Sequence, residues 1–314
     1  MYTINNIIPV IPYPVTIVGD VEAIFEHVSP IFNTTEKSLS WLKSTLPNVE
    51  QIVGQAKCNI IICDHAFDTQ DKYPHITFIK VENPAIAFMR LVKAIYQKPI
   101  SDIEPLIHQT AIIHPEAVLG KNVRIGAFSM IGKCIIGDDS IIDCHVKIED
   151  GISIGKKVFI GNYCYIGGQG FGHIKNENGS LENMLHIGNV VIEDEVEIFP
   201  YTNIDRATIS TTFIGRSTKI DHYCHIGHNS HIGANCIITA KTVLCGGVTI
   251  GTNAYIGIGS IIRDKVTIGD DAFVGMGAVV TKDIPHKETW SGNPAKPLAE
   301  LKKIQAVLKS MYDK

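Results

Sequence analysis

A mainly β fold, in which a parallel β-helix of six-residue repeats follows a small α/β domain and precedes a C-terminal α-helix, is predicted by three features of the sequence. An aliphatic residue returns at every sixth position through most of the last two thirds of the chain. Before Ile107 the pattern is different, with short apolar runs alternating with helix-like stretches. After Pro285, Leu298, Leu301, Ile304, Leu308 and Met311 fall on one side of a single helix whose other side carries several lysines. The expected boundaries are residues 1–100, 101–284 and 285–314.

In the first part, the runs Asn59 to Cys63 (NIIIC) and Ile76 to Val81 read as strands, and Ala85 to Tyr96 reads as a helix. Lys98 to Pro105 (KPISDIEP) reads as the linker to the repeat.

The repeat runs from Ile107 through Ile113, Leu119 and Ile125 to Ile131, then after one five-residue step from Ile136 to Ile166. It returns from Ile214 to Val280 without interruption. Six residues suit a short strand plus a turn, and three such steps close a triangular coil of about 18 residues that points every aliphatic side chain inward. Cys134, Cys164, Cys224 and Cys236 occupy the small inward site two places before the aliphatic residue, so they read as buried hydrophobes rather than ligands or nucleophiles.

Composition excludes several classes. Hydrophobic residues make up 45% of 314, yet no apolar run approaches the ~18 residues of a membrane helix. The first 19 residues carry no Lys or Arg and are interrupted by Pro9, Pro12 and Pro14, unlike a signal peptide, so a cytoplasmic protein without integral membrane association is expected. A net charge of -4 gives no electrostatic footprint for nucleic acid. The eight cysteines include no CxxC pair, which argues against a disulfide framework or a zinc site.

Chemistry is expected where the repeat breaks and where polar residues face outward. Residues 167–185 (GGQGFGHIKNENGSLENML) lack the aliphatic step, and a long excursion from a rigid scaffold suits a binding loop. His222, His225, His228 and His231 stand at outward positions of the most regular coils. They read as a solvated edge, a zinc site or a general base. The His-x4-His pair of the gamma carbonic anhydrases, which are zinc-binding β-helices, occurs nowhere, so no metal is expected. Imidazole accepts protons near neutral pH, and one coil beyond His228 lies Gly246, whose N–H is placed to bind an oxyanion. That pairing suits transfer of an acyl group from a thioester to an amine, with a second copy of the chain completing the pocket at the convex edge. Asp221 or Asn229 is expected to orient His228, while Asp205 and Arg206 read as a structural ion pair between coils.

The segments Gly168 to His173 (GQGFGH), Ile187 to Ile209 (IGNVVIEDEVEIFPYTNIDRATI) and Lys219 to Gly233 (KIDHYCHIGHNSHIG) resemble the UDP-3-O-acylglucosamine N-acyltransferase family of lipid A synthesis, within the hexapeptide-repeat acyltransferases. The stretch beginning at Ile107 (IHQTAIIHPEAVLGKNVRIG) and Asn83-Pro84 are similar as well. The resemblance implies a homotrimer of left-handed β-helices with a nucleotide-binding first domain. It implies that His228 is the base, Gly246 the oxyanion donor, Asp221 an active-site aspartate and Gly170-Phe171-Gly172 a loop bordering the site, with His173 a further candidate.

The chain also departs from the family pattern. Trp41, placed to stack on a base, is followed by Ser44 and Pro47 where the family's uracil site has Asn and Tyr. His222 and His225 replace Asn and Gln, and Lys265 replaces a histidine associated with the lipid substrate. Ser291 to Lys296 (SGNPAK) resembles the ending of CoA-dependent acetyltransferases of this superfamily, and the tail beyond Pro297 is shorter than the family's carrier-protein-binding extension. Trp290 beside it reads either as a wall of the donor channel or as packing.

The expected function is therefore N-acylation of a nucleotide-linked amino sugar in surface-polysaccharide or lipopolysaccharide assembly. No permanently bound cofactor is expected, and acyl-CoA is favoured over acyl-carrier protein as co-substrate. The alternatives are the lipid A enzyme itself, using a carrier protein, and a non-catalytic sugar-nucleotide-binding scaffold.

Overall fold

A computed structural model of the chain describes residues 1–69, 72–96 and 106–312, so the linker expected at 98–105 lies outside the described residues. Contacts divide the chain into two compact units, Met1–Ile103 and Glu104–Lys314.

In the first unit a five-stranded sheet is ordered Thr16–Val18, Thr77–Val81, Ile60–Asp64, Ser38–Trp41, His27–Val28, with all neighbours parallel except the first pair. Ile60, Ile61, Ile62 and Cys63 are all 0% exposed, which explains an apolar run without alternation: both faces of a central parallel strand are covered. The helix Pro84–Tyr96 starts where the sequence marks it. Asn83 Oδ1 accepts the Ile86 N–H at 3.3 Å, and Pro84 occupies a first-turn position that needs no N–H.

The second unit is a parallel β-solenoid with three faces. The first face runs from Ile112–Ile113 to Val279–Val280 in nine strands, the second from Val118–Leu119 to Thr267–Ile268 in eight, and the third from Arg124–Ile125 to Lys296–Pro297 in ten. The twelve aliphatic residues from Ile214 to Val280 are each at most 1% exposed. They stack in register, as Ile220, Ile238 and Ile256 do on the third face. The ladder also continues through Ile192, Ile198 and Ile204, which pair with Ile154, Ile160 and Ile166 across the long excursion.

Cys134, Cys164, Cys224 and Cys236 are buried inside, and burial pushes the first three thiols up to about 11. The third face does not stop at the expected boundary. Thr289–Ser291 pairs with Phe273 and Val274, and Lys296–Pro297 folds back on it, before the helix Leu298–Tyr312. Among the described residues no helix is long and apolar enough to cross a membrane.

Candidate active site

The edge joining the first face to the second is where the repeat breaks twice. Residues 168–188 leave it as a loop carrying the hairpin His173–Lys175 and Leu181–Asn183. Residues 205–210 leave it again between the strands Asn203–Asp205 and Thr211–Ile214. The turn Gly227 to Ser230 follows on the same edge. Side chains tie these turns together: Gln169 Nε2 donates to His186 O at 3.0 Å while His186 N donates to Gln169 Oε1 at 2.9 Å, and Thr208 N donates to Asn229 Oδ1 at 2.8 Å.

His228 sits in the middle of this stack. A Cβ added to Gly246, one coil further on, would lie 2.7 Å from both Cε1 and Nε2 of His228, so a side chain there would have to displace the imidazole. Among the described residues no acceptor takes the Gly246 N–H. At the equivalent turn position of other coils a carboxylate from a neighbouring coil does so, as Asp138 does for Lys121 at 2.9 Å and Asp270 for Thr252 at 2.6 Å. Burial, reinforced by His186, holds the His228 pKa below the ordinary histidine value, against the opposing pull of Asp205.

Two residues beside His228 were missed by the sequence reading. His186 is 1% exposed, and its ring meets that of His228 edge-on with centroids 4.8 Å apart. Asp205 is 6% exposed, accepts from Asn203 Nδ2 at 2.7 Å, and has Oδ2 3.8 Å from His225 Nε2. Burial raises its pKa, opposed by Asn203 and by His225, His228 and His186. The expected Asp205–Arg206 ion pair does not form, because Arg206 instead donates to the carbonyls of Gly167 at 2.7 Å and Asp150 at 2.9 Å. The available signal was position: both missed residues lie at the two breaks in the repeat.

Comparison with known proteins identifies the family of the chain. The bacterial transferase hexapeptide model (six repeats) matches residues 133–168, 211–246 and 247–282. UDP-3-O-acylglucosamine N-acyltransferase of Methylacidiphilum infernorum is 33% identical over 92% of this chain and 86% of its own length. The chain belongs to the UDP-3-O-acylglucosamine N-acyltransferase family. The same-named protein of Anaeromyxobacter dehalogenans is 32% identical over 76% of this chain and 73% of its own. A solved UDP-N-acetylglucosamine acyltransferase of Francisella novicida superposes with a TM-score of 0.56 at 27% identity, covering 61% of this chain and 69% of that one.

Within this N-acyltransferase, the other expected site residues divide into those near His228 and those elsewhere. Phe171 is 86% exposed on the excursion and packs on His173 at 4.8 Å, and a Cβ on Gly172 would reach 3.4 Å from His186 Cε1. Lys265 N donates to Gly246 O at 3.0 Å, on the same edge. His225 lies on the first face, with Nδ1 3.1 Å from Asn203 Nδ2.

Within one chain neither Asp221 nor Asn229 bonds His228. Asp221 lies on the edge between the third and first faces, where its Oδ1 is 2.6 Å from His222 Nδ1 and its Oδ2 accepts from Ala240 N at 3.1 Å. Asn229 is engaged by Thr208. Trp290 packs against the solenoid core and donates from Nε1 to Glu288 at 2.6 Å.

Trp41 belongs to the first unit. It packs on Phe88 at 6.0 Å and lines an apolar cavity of about 450 Å³ with Pro30, Phe32, Leu46 and Pro47. Among the described residues no group of three or more His, Cys, Asp or Glu side chains is arranged to hold a metal ion.

Proposed function

We propose that this N-acyltransferase moves an acyl group from a thioester to the amine of a UDP-linked amino sugar, with His228 as general base and the Gly246 N–H as oxyanion donor. The observation that carries the reading is the glycine stacked on the histidine with its N–H unclaimed. His228 takes a proton as the amine nitrogen attacks the thioester carbonyl carbon. The Gly246 N–H binds the oxygen as it becomes negative. Collapse of the tetrahedral intermediate breaks the C–S bond, and the imidazolium returns the proton to the departing thiolate, leaving an amide and a free thiol. A base with a lowered pKa is already neutral at pH 7 and ready to act.

The names of the relatives support a UDP-glucosamine derivative as acceptor, and the SGNPAK segment at Ser291 supports acyl-CoA over acyl-carrier protein as donor. The reading includes a homotrimer. Asp221 and His222 lie on a different edge from His228, so a second copy is what brings them to the reacting groups.

Incubating the purified protein with acyl-CoA or acyl-carrier protein and with UDP- or dTDP-linked amino sugars, 3-O-acylated UDP-glucosamine included, tests the proposal. N-acylated UDP-sugar is the expected product. Absence of amide product from every UDP-amino sugar with both donors overturns the reading, and efficient turnover with the carrier protein alone overturns the CoA preference.

A further inference from the structure

His186 walls the buried side of His228, yet half of its own hydrogen-bonding capacity is unused. Its Nδ1 lies 2.9 Å from Met184 O, and since a carbonyl only accepts, Nδ1 carries the proton and Nε2 is left as a lone pair. That Nε2 is buried and meets no donor, and His228 Nδ1 is likewise buried and meets no partner. Orphaned buried nitrogens are rare because each forfeits its hydration.

The carbon edge of the His228 ring is what lies toward the His186 orphan. A Cβ on Gly170 would stand 2.6 Å from His186 Nε2 and 2.9 Å from His228 Cδ2, so those two atoms face one point. Nδ1 and Cδ2 of an imidazole exchange sides on a half-turn about χ2, a broad two-fold torsion. After that turn His228 Nδ1 takes the place of Cδ2 on the His186 side, where one bond would serve both orphans.

We infer that His186 is a positioning residue for His228, its Nε2 accepting the His228 Nδ1–H and so holding the tautomer whose Nε2 lone pair faces the substrate amine. The inference rests on the reading of His228 as the base. The Gln169 clamp on the His186 backbone fixes the acceptor in place, which makes the excursion loop part of the proton-transfer apparatus. The titratable groups facing His228 are His186 from the loop, Asp205 from the second break and His225 from its own coil.

The test uses full-length protein labelled with 15N in its histidine rings. His186→Gln keeps an acceptor oxygen, whereas His186→Leu keeps bulk without one. Without substrate at pH 8, His228 in the parent and in the Gln variant is expected as the Nδ1–H tautomer, and in the Leu variant as mainly Nε2–H. With the donor and acceptor the enzyme turns over, His186→Leu is expected to lose about tenfold in kcat at unchanged KM, the loss of one buried hydrogen bond. His186→Gln stays within a few-fold.

Leu and Gln variants alike in tautomer and rate overturn the inference, as does a Leu variant more active than Gln, which is what a space-filling role produces. If the Leu variant does not fold, His186→Asn, whose amide is too short to reach, replaces it. An active His228→Ala would instead remove the reading on which the inference stands.

Discussion

His228 and Gly246 occupy equivalent turn positions of successive coils, and the imidazole fills the space that a side chain at Gly246 would need. The stacking makes one contact serve two purposes, since the residue that leaves room for the base also leaves its own N–H unclaimed. Gly246→Ala is therefore expected to displace His228 and misdirect the oxyanion donor together. A kcat loss of about 10²-fold or more is expected, the size seen when one such donor is removed. Steady-state kinetics at saturating substrate check it, and an unaltered kcat contradicts the role.

The carboxylate of Asp205 raises the pKa of His228 while burial and His186 lower it. Asp205→Asn keeps an acceptor for Asn203 and removes only the charge. His228 then becomes a weaker base, so kcat falls by about tenfold and the acid limb of the pH profile moves further down. In the parent protein the limb is expected below the ordinary histidine value of about 6.5, because burial delays proton uptake by His228. A limb that moves up in the variant, or stays in place, refutes the electrostatic coupling.

Adjacent residues on one strand test the inward ladder. Ile238 is 0% exposed between Ile220 and Ile256, whereas Ile237 is 44% exposed on the outer surface. Ile238→Ala is expected to cost about 2–5 kcal/mol by leaving a cavity in a stack that cannot collapse. Ile237→Ala stays within about 0.5 kcal/mol. Thermal or urea unfolding of the two variants decides whether the period of six fixes the core.

The buried thiols give a chemical test of the same interior. Cys134, Cys164 and Cys224 have their pKa pushed up to about 11 by burial, and only Cys144 and Cys245 reach partial exposure. A thiol reagent at pH 8 is expected to label Cys144 and Cys245 in the native protein and the rest only after unfolding. Rapid native labelling of Cys134, Cys164 or Cys224 contradicts the packing.

The sequence made the scaffold legible because a solenoid repeats its packing problem every coil, so twelve residues from Ile214 to Val280 report the same environment. The same periodicity placed Gly246 on His228 by arithmetic. It failed where the period fails. His186 and Asp205 lie in segments of irregular length, and no count of residues places them beside His228. Counting also does not place Asp221, which is seven residues from His228 but one edge away within the chain, because a triangular coil turns a corner every six residues.

The most direct measurement is kcat/KM of His228→Ala for N-acylation of a UDP-linked amino sugar, alongside its oligomeric state by light scattering. The account predicts a loss of about 10²- to 10⁴-fold with the assembly unchanged. A variant that acylates at the parent rate would contradict it.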